Sequence, residues 1–288
     1  MRVVTWNLNA RLASAEQVAA IAGYEADLIA FQEVTRSTLQ ALSSALIASG
    51  YDQIQLTTLE CLAGPRRYGL LVASRWPATR KKLQGSASWP ERLLSVEVEM
   101  QPRSFVLLNT HIPPGSSNGL QKVYALEAAL DEATCSAEHY PTILVGDFNC
   151  PREETLEGVV TWAQRCRGDG SWYVPCTDRA RRWDNAERSL FAGPLTDAFR
   201  AIHPEIPARS WVLRRMGKEI PRRFDHVLVS HHWQVKQARY LEQLLIDGLS
   251  DHAPLMVDLE SVRQRRHASV AGGIGVSPMV CTGVSPVS

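Results

Sequence analysis

The sequence predicts an α/β protein in which two β-sheets pack face to face and helices cover their outer faces. Three observations lead there. The opening, as far as Gly50, reads strand, helix, strand, helix. From Tyr68 onward, β-type runs follow one another with few long helices between them. Of 288 residues, 45% are apolar and 21% charged, an ordinary globular composition with a sizeable core to bury. Two strand-rich halves interrupted by helices bury their apolar faces best as packed sheets with helices outside.

Residues 2–7 are β-rich. Ser14 followed by Gln17 is a capping-box signature, and Gly23 stops the helix that follows. Residues 27–32 are a short apolar run suited to a buried strand, and 35–49 have helical periodicity closed by Gly50. Strands are expected at 68–74, 93–100 and 104–110; Leu94-Ser95-Val96-Glu97-Val98-Glu99 alternates as a strand with one wet face should. Residues 119–137 form the longest helix, with Val123, Leu126, Ala129 and Leu130 on one face, and 142–145 a buried strand leading into Asp147. From Pro151 to Pro194 the pattern is irregular, and loops with one helix at 155–164 are expected. A short helix at 195–201 and strands at 210–214, 224–229, 235–245 and 255–259 complete a domain spanning 1–262. Residues 263–288 repeat Gly-Val-Ser-Pro in a Gly/Ser/Val/Pro-rich segment without periodicity, expected to be a disordered tail.

A formal net charge of +1 excludes a grossly basic nucleic-acid-coating protein but not a local basic surface. Six cysteines show neither CxxC pairing nor regular spacing, as expected of reduced thiols in a cytoplasmic protein. No run has the length of a membrane span, and residues 1–7 read as a strand rather than a signal peptide. A monomer without a membrane partner is the expectation.

Islands of acid, amide and histidine lie at expected strand ends. Asn7 and Glu33 end neighbouring strands; Glu33 is a candidate carboxylate ligand for Mg²⁺, which takes hard oxygen donors. Asp147 and Asn149 are two apart, so on extended chain both side chains face the same side. Asp251-His252 sets a possible metal carboxylate beside an imidazole, and Asp225, alone in an apolar strand, is the candidate partner fixing that histidine's tautomer. His111 ends a strand and is placed to donate to a phosphate oxygen. Phosphodiester hydrolysis at neutral pH needs this inventory: a divalent cation, a water-activating group and donors to developing charge.

Trp6-Asn7, Gln32-Glu33-Val34, Asn109-Thr110-His111, Gly146-Asp147-Phe148-Asn149, Phe224-Asp225-His226 and Ser250-Asp251-His252-Ala253-Pro254 resemble, in matching order, the endonuclease/exonuclease/phosphatase superfamily. The resemblance runs from Met1 to about Glu260. It implies a four-layer α/β sandwich, DNase-I-like, and Mg²⁺-dependent phosphoester hydrolysis, with Mn²⁺ as a substitute ion. It implies that Glu33, Asn7 and Asp251 serve the metal and that Asp147 and Asn149 position or activate water. His252, held by Asp225, would be the general base or a phosphate contact; which of Asp147 and His252 takes the proton stays open. Leu195-Thr196-Asp197-Ala198-Phe199-Arg200 and residues 68–74 resemble the exonuclease III and abasic-site endonuclease group. That group carries tyrosine where this chain has His111, whereas histidine is more usual in the DNase-I-like and sphingomyelinase-like branches.

Two basic clusters complete the reading. Arg179, Arg181 and Arg182 lie beside Trp183, and Arg214, Arg215, Lys218, Arg222 and Arg223 flank a turn at Met216-Gly217. They are either solvated turns or a groove for a phosphate backbone, with Trp172, Trp183 or Trp211 stacking on a base or sugar. Arg182, Trp183, Trp211, Arg214 and Arg215 are the candidate nucleic-acid contacts. The expected activity is a metal-dependent nuclease acting on DNA. The alternatives are a phosphatase or phosphodiesterase on a small or lipid phosphoester, and a binding module that kept the fold without catalysis.

Overall fold

The computed structural model describes residues 1–11, 13–57, 68–85, 90–155 and 158–262; the tail expected from 263 lies outside the described residues. Strands β1 (Arg2–Asn7), β2 (Leu28–Val34), β3 (Gln53–Leu56) and β4 (Gly69–Ser74) carry helices α1 (Ser14–Ala22) and α2 (Arg36–Ala48) in their first two connections. Next come β5 (Ala78–Lys81), β6 (Leu93–Met100) and β7 (Arg103–His111), then α3 (Gly115–Asn118), α4 (Leu120–Ala137) and β8 (Thr142–Asp147). Two small hairpins follow, β9 (Glu153–Thr155) with β10 (Gly158–Val160) and β11 (Arg165–Cys166) with β12 (Trp172–Tyr173). Helix α5 (Asp178–Ala192), β13 (Thr196–Asp197) and α6 (Ala198–Ile202) lead to a third hairpin, β14 (Trp211–Arg215) with β15 (Lys218–Arg222). The described chain closes with β16 (Asp225–Val229), β17 (Trp233–Tyr240), α7 (Glu242–Ile246) and β18 (Leu255–Ser261).

Two six-stranded mixed sheets result, in the orders β17-β18-β1-β2-β4-β3 and β13-β16-β8-β7-β6-β5. Alternation of side chains along the strands sorts the apolar residues into three buried layers. Val3, Leu28, Ala30 and Val72 from one sheet meet Leu107, Ile143, Val145 and Val227 from the other, forming the core between the sheets. The intervening residues Val4, Trp6, Ile29 and Phe31 pack against Val18, Ile21, Leu42 and Leu46 of α1 and α2. On the far side, Val106, Leu108, Leu144 and Leu228 pack against Val123 and Leu126 of α4 and Leu190 of α5. Helices, sheet, sheet, helices: this is the expected four-layer sandwich. Both ends of the described chain lie in one sheet, since β1 pairs with β18 from Arg2↔Asp258 to Thr5↔Leu255.

Several local expectations are corrected. Ser14 does not cap α1 through its side chain; it is the first helical residue, and the Gln17 amide instead donates to the carbonyls of Leu8 and Leu249. Where a helix is expected at 155–164, Thr155 ends β9, Gly158–Val160 forms β10 and 161–164 is a turn, while 156–157 lie outside the described residues. The irregular stretch contains a 15-residue helix, α5, whose inward face mixes Ala186 and Leu190 with buried Asp184 and Glu187, so charged residues interrupt its apolar stripe. The strand expected over 235–245 ends at Tyr240, and a short helix follows. Strands β3, β5 and β15, short or exposed, carry too little alternation to be read.

Candidate active site

The inward parity that builds the inter-sheet core continues, at one end, into polar residues. Asn7 follows Val3 and Thr5; Gln32 follows Leu28 and Ala30; Asn109 and His111 follow Phe105 and Leu107; Asp147 follows Ile143 and Val145. Asp225 precedes Val227 and Val229 on β16. Pairing then aligns them: Asn7↔Gln32, His111↔Asp147 and Asp225↔Asp147 are direct register partners. Gln32 and Asn109 bridge the sheets, Nε2 to Oδ1 at 2.7 Å, and mark the floor of the site.

Glu33 breaks the parity. One residue beyond Gln32, regular strand would send it toward the helices. Its φ of +58° and a register shift between Phe31 and Val34 turn it back, so its carboxylate accepts from Asn7 Nδ2 at 3.2 Å. The same amide nitrogen donates to Asp147 Oδ2 at 3.0 Å, while the Asn7 oxygen accepts the Asn9 N–H at 2.9 Å. Asn7 thus presents its nitrogen, not its oxygen, to the carboxylates. Asn149 is not extended either: φ of +50° lets its backbone and side-chain nitrogens donate to the two oxygens of Asp147 at 2.9 and 3.0 Å.

His252 enters from the other sheet. Its Nδ1 lies 2.7 Å from Asp225 Oδ2, and its Nε2 lies 3.9 Å from Asp147 Oδ2. Trp6 Nε1 donates to the His252 carbonyl, and Ser250 Oγ donates to the Asn7 carbonyl, pinning the loop to β1. Beside His252, Asp251 accepts from Trp211 Nε1 at 3.3 Å.

Burial sets the electrostatics. Desolvation raises the Asp147 carboxyl to about 7, with the Asp225 charge adding and His252 opposing. Desolvation also raises Glu33, reinforced by Asp251 and opposed by Asn7 and His252. For His252, desolvation is outweighed by the Asp225 and Asp147 carboxylates, which lift it to about 10. His111 has Nε2 3.7 Å from Glu33 and 3.6 Å from Asp147, yet burial and the charges of Arg92 and His252 hold it well below its usual value. The site therefore sets a neutral imidazole and an imidazolium around an acidic centre.

Sequence reasoning missed a supporting layer. Fully buried Lys122 donates from Nζ to the Asn149 carbonyl at 2.6 Å, and Trp162 Nε1 donates to the same oxygen at 2.9 Å. Glu187, also buried, accepts from Trp183 Nε1 at 2.6 Å and lies 3.5 Å from Lys122 Nζ. Beneath β16, buried Arg223 is held by Asp197 Oδ2 at 2.7 Å and by Glu154, and Tyr240 Oη donates to the Asp225 carbonyl. A lysine on a helix and an arginine in a basic run carry no sequence signal that distinguishes them from surface charge; only their burial does.

The profile of the Endonuclease/Exonuclease/phosphatase family matches residues 4–252, which span every one of these side chains. The chain belongs to this family. Its members are hydrolytic phosphoesterases and typically depend on a divalent metal. Similar solved structures include an AP endonuclease from Archaeoglobus fulgidus, with TM-score 0.68 and 18% identity over 90% of this chain and 99% of that one. The 3' phosphatase NExo from Neisseria, bound to a product DNA hairpin, has TM-score 0.64 and 21% identity over 90% of this chain and 99% of that one. TDP2 from D. rerio, complexed with a single-strand DNA product, has TM-score 0.64 and 14% identity over 91% and 99%. At these identities the likeness is one of fold. No curated protein matches the chain.

The donors fit the metal dependence of the family. Glu33, Asp147 and Asp251 offer hard carboxylate oxygens, Asp251 adds its charge to Glu33, and burial pushes Glu33 and Asp147 toward protonation, a penalty that a divalent cation would relieve. Ligand atoms of Asp147, Asp225 and His252 lie within 4.8 Å of one another, but Asp225 and His252 already hold each other. Half-buried Glu33 and Asp251 therefore have the more open oxygens.

The expected nucleic-acid contacts scatter. Trp211 lies against the site, 5.4 Å from the Phe224 ring and 6.5 Å from His252. Arg214 pairs with Glu219 on its exposed hairpin, and Arg215 is exposed beside it. Arg182 forks onto Glu127 at 2.6 and 2.8 Å over the Tyr124 ring, in the helical layer.

Proposed function

We propose that this protein is a Mg²⁺-dependent hydrolase that cleaves phosphodiester bonds in DNA. The observation that carries the reading is the convergence, at one end of the sandwich, of the Asp225–His252 pair and the Glu33–Asn7–Asp147–Asn149 array. Glu33 and Asp251 would hold the ion, Mg²⁺ or in its place Mn²⁺, with Asn7 orienting Glu33 through its amide nitrogen. Bound there, the ion supplies positive charge to the phosphate and to the departing oxygen. Asp147, whose oxygens are aimed by Asn7 and Asn149, orients water and accepts its proton, because burial leaves it more basic than an ordinary carboxylate. His252, kept protonated by Asp225, donates to a phosphate oxygen and stabilises the charge that develops there. Neutral His111 donates to the same group from the β7 side.

DNA as substrate is supported by the DNA products bound to two proteins of the same fold and by Trp211, Arg214 and Arg215 on the hairpin that begins beside His252. The deciding experiment is cleavage of end-labelled duplex DNA, with and without one abasic site, in Mg²⁺ and in EDTA. Cutting that requires Mg²⁺ and disappears in Asp147→Ala and His252→Ala proteins is expected. A folded wild-type protein that binds Mg²⁺ but cuts neither duplex would overturn DNA as the substrate and shift the reading to RNA or a small phosphoester.

A further inference from the structure

Beside the catalytic loop, between the irregular hairpins and α5, lies a cavity of about 530 Å³ lined by Arg152, Trp162, Arg165, Thr177, Arg179 and Trp183, among others. Its volume is in the range of ~300–1,000 Å³ usual for ligand sites. Three arginines line it and no carboxylate does. Elsewhere, Arg181, Arg182, Arg188, Arg200, Arg209, Arg214 and Arg223 each carry a carboxylate partner. Among the described residues, none of Arg152, Arg165 and Arg179 forms an ion pair. In a protein with formal net charge +1, this is positive charge gathered in one place.

The guanidinium of Arg152 is also pre-positioned. It lies 4.7 Å from the Trp172 ring centroid and 5.7 Å from that of Trp162, and among the described residues its side-chain hydrogen bond is a single long one, to the Gln164 carbonyl at 3.4 Å. Bracing by indoles fixes the planar fork while leaving N–H donors for an outside anion. The first turn of α5 contributes Thr177, Arg179 and Ala180 to the same lining, adding the positive end of a 15-residue helix. The cavity adjoins the catalytic loop: Arg152 is three residues beyond Asn149, and the Trp162 indole donates to the Asn149 carbonyl. Trp162 and Trp183 also border Gly115, just beyond the turn that follows His111.

We propose that this cavity is a second phosphate subsite, which takes a backbone phosphate of the nucleic-acid strand flanking the bond to be cut. Arg152, Arg165 and Arg179 grip the phosphate, and the indoles of Trp162 and Trp183 give the adjoining sugar or base an apolar wall. The subsite rests on the nuclease reading and sharpens it: the enzyme would hold its strand at two phosphates, one at Asp147 and His252 and one here.

The test separates the two. Binding of a fluorescent single-stranded oligonucleotide is measured by anisotropy in EDTA across a salt series, for wild type and for Arg165→Gln/Arg179→Gln, both exposed positions, and then with Arg152→Gln added. Loss of this phosphate contact is expected to weaken binding about tenfold and to flatten the log K–log salt slope by about 0.7. In parallel, Mg²⁺-dependent hydrolysis of bis(p-nitrophenyl) phosphate, too small to reach the cavity, is expected to stay within about twofold of wild type. Unchanged affinity and slope in the folded double and triple variants would overturn the subsite. So would competition by a free mononucleotide as effective as that by an oligonucleotide. Failure of wild type to hydrolyse any phosphodiester would instead overturn the nuclease reading, whatever the binding result.

Discussion

At the residue scale the decisive pair is Asp225 and His252. Asp225 is wholly buried on β16, and its contact with Nδ1 of His252 leaves Nε2 facing the Asp147 side of the site. Asp225→Asn keeps the shape and removes the charge, so turnover is expected to fall on the order of 10²–10⁴-fold with KM little changed, as steady-state kinetics would show. The same substitution has a signature in stability. The folded-state value of His252 is raised, so its contribution is full below the unfolded value of about 6.5 and is lost as pH rises toward about 10. In EDTA, the wild-type Tm is expected to drop through that window, and Asp225→Asn to flatten the drop. An unchanged pH profile in the variant would show that Asp225 does not hold the proton on His252.

At the element scale, two strands meet under the site with almost no clearance. Gly146 on β8 has φ of +141°, and a Cβ there would lie 1.9 Å from the Thr110 carbonyl oxygen of β7. Gly146→Ala is therefore expected to cost at least about 1–3 kcal/mol from backbone strain alone, read as a lowered midpoint in urea. Below β16, Arg223 is ion-paired with Asp197 and Glu154 while its side chain is 1% exposed. Arg223→Ala leaves buried Asp197 without its arginine, while Glu154 keeps Arg200, and is expected to cost about 3–5 kcal/mol. Asp197 titrates well below the usual carboxylate range, because Arg223 and His226 overcome its burial. That stabilisation is present above about pH 4 and is lost as pH falls further, so the variant is expected to lose its excess instability in acid.

At the scale of the whole molecule, the site draws on both sheets: Asn7, Glu33 and the loop carrying His252 from one, His111, Asp147 and Asp225 from the other. Anything that binds this junction binds only the assembled sandwich. Saturating Mg²⁺ is therefore expected to raise Tm by mass action, by about 2.7 kcal/mol of stability at 100 times its Kd, and Glu33→Gln to erase most of the rise. A calorimetric scan with and without EDTA measures it. A Tm indifferent to Mg²⁺ would remove Glu33 from the metal.

What the sequence determined by itself was the part written in alternation and in order. Val3-Thr5-Asn7, Ile143-Val145-Asp147 and Asp225-Val227-Val229 each run a core face into, or out of, a polar group, so the buried strands that carry the site, the two-sheet fold and most of the candidate site were legible from spacing and motif. Tertiary structure decided what depends on partners remote in the chain. Glu33 faces the site only through its bulge, Asn7 turns its nitrogen inward only because Asn9 takes its oxygen, and Lys122 and Arg223 are buried only because Glu187, Asp197 and Glu154 receive them. Helix α5 was missed for the same reason, since buried Asp184 and Glu187, held by Thr161 and Trp183, interrupt the apolar face that Ala186 and Leu190 turn inward. Hydrophobic periodicity is a local property of the chain, whereas the pairing of a buried charge exists only once distant segments have met.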